Sequence, residues 1–154
     1  MNDFKYAVGV ALLCDYANRR DNYNEMVERL EDHIDRWENN IDKIKNAQDR
    51  ANDNIYKNKD RLEKTENFYN NLHSYKTEQW LEKQEWAKDN HKSEDVQESA
   101  RQNIKKHYEK IESVESQIER LRTWINEDYE KIDSMNDSIN DIESKISSAQ
   151  SRIE

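Results

Sequence analysis

The chain has 154 residues, no proline, one glycine and one cysteine, and its net charge is −9. A β protein of this size needs many turn-forming residues, and a disulfide-stapled secreted fold needs paired cysteines, so both are excluded. Apolar residues make up 33% of the chain and charged residues 38%, so the ordered solution open to it is long helices that bury a narrow stripe.

Residues 1–26 form the first predicted element, an apolar N-terminal helical segment. The nine residues from Tyr6 to Cys14 carry no charge. This run is shorter than the roughly 20 apolar residues a membrane span requires. The preceding "MNDFK" offers one lysine and one acid, a poor start for an export signal. The run is apolar on every helical face, because Val8, Val10, Ala11 and Leu12 fall outside the seam that the rest of the chain continues through Tyr6, Gly9, Leu13 and Tyr16. A helix that is hydrophobic all round is buried all round. Another surface must therefore cover Phe4, Tyr6, Val8, Val10, Leu12, Leu13 and Tyr16. A second copy of the chain is the leading expectation, followed by a different protein, a local fold-back and a membrane. Cys14, with no histidine nearby, reads as a small buried hydrophobe.

Residues 27–89 read as the first arm of a coiled coil. Steps of three and four from Val27 to Leu72 meet apolar residues everywhere except Gln48, Asn58 and Thr65. Such a 3.5-residue repeat winds helices into a left-handed supercoil. "HSYKTEQW" offers Ser74 or Thr77 as a helix N-cap, and so an alternative in which this arm breaks and a short helix carries Trp80 and Trp86.

Residues 90–93 are the predicted turn, inside the polar cluster "KDNHKSED". His91 is expected to pair locally with Asp95. Residues 94–154 form the second arm. Here eight successive heptad a positions, Ile104 to Ile153, are all isoleucine. The two periodic runs would span roughly 70 and 75 Å at 1.5 Å per residue, and near-equal lengths favour pairing with each other. Antiparallel pairing sets a against d, and one such alignment joins Leu30 to Ile153, Ile34 to Ala149 and Trp37 to Ile146. It centres the turn between His91 and Lys92. Its weak layers are Asp128 against Ile55 and Asn58 against Ile125, polar positions that either stay wet or pin the alignment. The expected fold is all-α: a long antiparallel coiled-coil helical hairpin with an apolar N-terminal helical extension.

Two further surfaces stand out. Phe68, Tyr75, Trp80, Leu81, Trp86 and Tyr108 add apolar and aromatic area near the tip, where they either widen the core or form a docking patch. Between Glu127 and Glu143 there are seven acids and one base. Glu130, Asp133, Asp137 and Asp141 face outward as a solvated face or as a mimic of nucleic-acid phosphates.

Catalytic and metal-binding patterns are missing. The four histidines stand apart, no HExxH motif exists, and one glycine cannot build a phosphate loop. No catalytic, cofactor-binding or metal-binding residue is assigned, and no cofactor is expected. His107 falls on the seam as a packed core histidine. The sequence therefore points to a non-enzymatic structural or protein–protein interaction protein, located in the cytoplasm. It would assemble through its N-terminal segment as a homodimer or with another protein, without nucleic acid and without a membrane. The alternative is an acidic helical inhibitor, of the kind phages and viruses encode, that fills a basic groove on a nucleic-acid-handling protein.

Overall fold

In the computed structural model, residues 2–154 are described, with side chains from residue 7 onward. The chain is all-helical: α1 runs Asn2–Leu72, α2 runs Tyr75–Asn90 and α3 runs Glu94–Ile153, and no strand occurs among the described residues. The absence of proline lets α1 and α3 continue without a break in their hydrogen-bond ladders. No described residue adopts positive φ, so both interruptions are made without glycine.

The first interruption is at His73 and Ser74, the site of the sequence's alternative break. The last turn of α1 tightens as the His73 and Ser74 amides donate to the carbonyls of Asn70 and Asn71, at 3.1 and 3.2 Å. Ser74 is extended (φ −69°, ψ 159°) and caps α2, its Oγ accepting from the Thr77 amide at 3.4 Å. The Thr77 hydroxyl in turn donates to the Asn71 carbonyl at 2.7 Å, tying the end of α1 to the start of α2. The expected first arm, 27–89, is thus made of two helices.

The second interruption is residues 91–93, within the predicted turn. His91 is extended (φ −68°, ψ 142°). Its Nδ1 accepts from the Ser93 amide at 3.0 Å, and its carbonyl accepts from the Gln97 side chain at 2.7 Å. This corrects the expected His91–Asp95 pair. The ring is already engaged with the turn's own backbone.

Burial follows the predicted seam. Every three–four step from Val27 to Leu72 and from Ile104 to Ile153 lands on a buried or half-buried residue. In α3 the same stripe reaches back through Ala100 to Gln97. Among the described residues outside the seam, nearly all of α1 and α3 is exposed.

The chain divides into two compact units. The first comprises Met1–Gln48 and Asp133–Glu154. Its core gathers Leu30, Ile34 and Ala149, with Met26, Trp37, Ile146 and Ile153 packed against them. Tyr23 Oη donates to the Ile153 carbonyl at 2.7 Å, and Gln48 Nε2 donates to Asn136 at 2.6 Å. The second unit is Asp49–Ile132. Lys59 meets Tyr129 at 2.6 Å, Arg122 meets Glu66 at 3.0 Å, and Tyr69 donates to Glu115 at 3.1 Å. Within each unit, positions rising along α1 meet positions falling along α3.

Candidate interaction surfaces

The N-terminal part of α1 belongs to the first unit. Residues 7–25 are all exposed. Leu12, Leu13 and Tyr16 keep 66%, 69% and 68% of their surface in contact with solvent, and Val8 and Val10 are also exposed. Phe4 and Tyr6 lie outside the residues whose side chains are described. The first contacts with α3 appear at Tyr23, through its hydroxyl on Ile153, and at Met26, whose sulfur is 3.9 Å from the Arg152 guanidinium. Among the described residues, no hydrogen bond, ion pair or ring contact joins residues 7–22 to another segment of the chain. Their own surface chemistry is sparse: Arg19 pairs with Asp15 at 3.1 Å, one turn apart. A Cβ built on Gly9 would meet nothing within 4 Å. Cys14 is exposed, which corrects its reading as a buried hydrophobe. That reading presumed a cover, and none of the described residues supplies one.

The second unit holds the aromatic residues. Tyr75 and Trp86 are strongly exposed on α2, and their 11-residue separation, about three helical turns, sets them on one face. Trp80 lies on another face, its ring edge-on to His107 at 5.7 Å, and His107 also meets Tyr108 at 5.5 Å. Leu81 is half-buried in the stripe that α2 presents inward. Phe68 sits under the Lys110 ammonium at 5.1 Å, a cation–π contact. The six residues therefore divide into an outward pair on α2, a set around His107, and separate contacts at Phe68 and Leu81.

His107 is 8% exposed, the one buried polar side chain among the described residues. Burial, reinforced by the nearby His73 and Lys110, holds its pKa below the ordinary 6.5. His73 stacks obliquely on Tyr69 at 4.7 Å. The Tyr69 phenol is raised above its ordinary value, chiefly because Glu115 accepts its proton in a hydrogen bond. Sequence reasoning placed His107 on the seam but missed His73 and Lys110 as its neighbours. Both lie off the heptad positions, so periodicity carries no signal for them.

The acidic residues are exposed. Asp133, Asp137 and Asp141 lie on α3 in the first unit and Glu130 in the second. None has an ion pair among the described residues. Lys131, the one base in that stretch, turns instead to Asp128 at 3.8 Å. Asp128 is the weak layer seen in the sequence, and its side chain is only 14% exposed.

Among the described residues, no group of three or more potential ligands could hold a metal ion, and no helix is long and apolar enough to cross a membrane. Compared with known proteins, the chain matches no family model, no curated protein and no solved structure.

Proposed function

We propose that this chain is a non-enzymatic structural and protein–protein interaction protein. In this reading α1, α2 and α3 form an antiparallel coiled-coil hairpin, and the apolar N-terminal segment assembles it into a homodimer. The observation that carries the reading is the contrast along α1. From Val27 onward the seam is covered, whereas Leu13 and Tyr16, in the same helix and the same repeat, and Leu12 beside them are about two-thirds exposed. Burying a leucine of this kind contributes roughly 1.5–3 kcal/mol, and a symmetric dimer counts each one twice. The reversed order of the α1–α3 contacts within each unit supports the hairpin. So does the first unit's core, which unites the pairs Leu30 with Ile153, Ile34 with Ala149 and Trp37 with Ile146.

Sedimentation equilibrium tests the assembly. The expected mass is about 37 kDa, twice the 18.7 kDa of one chain. Leu12→Asp with Leu13→Asp should return the mass to that of one chain while leaving most of the helicity. An unchanged mass in that variant would end the reading.

A second reading has its own observation. Asp133, Asp137 and Asp141 are exposed and have no ion pair among the described residues, which suits an acidic inhibitor docking in a basic groove.

A further inference from the structure

We infer that two copies of the chain pair antiparallel through residues 7–22, about a two-fold axis that passes between Cys14 and Asp15. The inference rests on the self-assembly proposed above and specifies its geometry.

The argument starts from charge. Residues 2–22 contain three acids and three bases, so the entire net charge of −9 resides in the remainder of the chain. Two copies brought together along their lengths repel one another. Brought together through residues 2–22 they meet across a neutral surface, which is also the most apolar one. The occupant best suited to this helix is therefore the same helix from a second copy.

Heptad phase then limits the geometry. The seam continues through Gly9, Leu13, Tyr16, Arg20 and Tyr23. Antiparallel pairing sets a against d, so permitted axes recur only every half-heptad: at Ala11, between Cys14 and Asp15, or at Asn18. An axis at Asn18 would place Val10 of the second copy opposite Met26. That space is taken by Ile153 and Arg152 of α3. An axis at Ala11 would set Leu13 against Gly9, which has no side chain to cover it. The middle axis sets Leu13 against Tyr16 twice, at the centre. It sets Arg20 against Gly9, where the open space above the glycine receives the long arginine stem. On the flanks, Val10 approaches Ala17 and Leu12 approaches the Arg19 stem, so no like charges are opposed. Val8 and Ala11 remain on the outer face.

Pulsed dipolar spectroscopy on the full chain tests this. One variant carries a spin label on the native Cys14. The other carries it on Ala7→Cys in a Cys14→Ser background. With the axis between Cys14 and Asp15, the two Cys14 labels are nearly level. The two residue-7 labels are offset along the helices by about 22 Å, fifteen residues at 1.5 Å each, so the residue-7 distance is clearly longer. Equal distances at both sites would overturn the inference while leaving self-assembly standing, because parallel pairing or an axis at Ala11 gives that result. Absence of any dipolar coupling, with the mass of one chain, would overturn both. A second comparison tests the faces. Leu13→Lys should weaken self-association at least about tenfold, whereas Val8→Lys should leave it nearly unchanged. Equal loss in the two variants would rule out a two-stranded contact.

Discussion

His107 shows how a single buried side chain couples this fold to pH. It is packed against Trp80 and Tyr108, with His73 and Lys110 close enough to oppose its charge. Its pKa in the folded chain is depressed below 6.5. Between that depressed value and 6.5 the unfolded chain binds more protons than the folded one, so stability rises with pH across this window. The contribution of neutral His107 is complete above the unfolded value and is lost as pH falls through the window. Thermal melts should show a lower midpoint at pH 5.5 than at pH 7.5. His107→Leu should remove most of that difference, because a leucine fills the seam and does not titrate. A pH dependence unchanged in the leucine variant would mean that other groups are responsible. Asp128 illustrates the other kind of polar seam residue. It reaches Lys131 on its own helix at 3.8 Å, and that outlet explains how a carboxylate only 14% exposed is tolerated on the seam.

At the scale of elements, the break between α1 and α2 is held by a small hydrogen-bond relay. Ser74 Oγ lies 3.0 Å from the Thr77 hydroxyl, and that hydroxyl donates to the Asn71 carbonyl. The cap bond itself is long, at 3.4 Å. Ser74→Ala should therefore cost toward the lower end of the roughly 0.5–2 kcal/mol typical of N-cap losses, read as a shift of the urea midpoint with an unchanged slope. A loss well above that range would show that the relay carries more than a cap. The helices and their buried stripe were legible in the sequence because isoleucine recurs with a fixed period, and the covered positions of α1 and α3 follow it. The second interruption, residues 91–93, falls inside the polar cluster that marked a break in the sequence. The choice at Ser74 was not legible, because the many asparagines and aspartates of α1 offer caps of the same kind, and only the tertiary contacts of α2 select one. The aromatic residues were legible as a group but not in their division. Tyr75 and Trp86 differ from Trp80 only in which face of a 16-residue helix they occupy. Cys14 was misread for a related reason, since hydrophobicity states that a residue wants cover and is silent on what provides it.

For the whole molecule, charge separates the two functional readings. Each chain carries −9, and the proposed assembly through residues 7–22 would bring two such chains together by apolar contact. Salt screens their mutual repulsion, with a Debye length that falls from about 30 Å at 0.01 M to about 10 Å at 0.1 M. Salt also strengthens apolar association when the anion is excluded from the protein surface, as sulfate is. Self-association should therefore tighten severalfold between low and moderate ionic strength, measured as the dimer dissociation constant by sedimentation. An acidic inhibitor works by the opposite sign. Its exposed Asp133, Asp137 and Asp141 would be drawn to a basic groove, and added salt would weaken that attraction. Changing the three aspartates to asparagine should leave the dimer intact and slightly tighten it, because six negative charges leave the pair of chains. A dimer that loosens with salt, or that those substitutions dissociate, would show that acidic contacts rather than the apolar N-terminal segment hold the chains together.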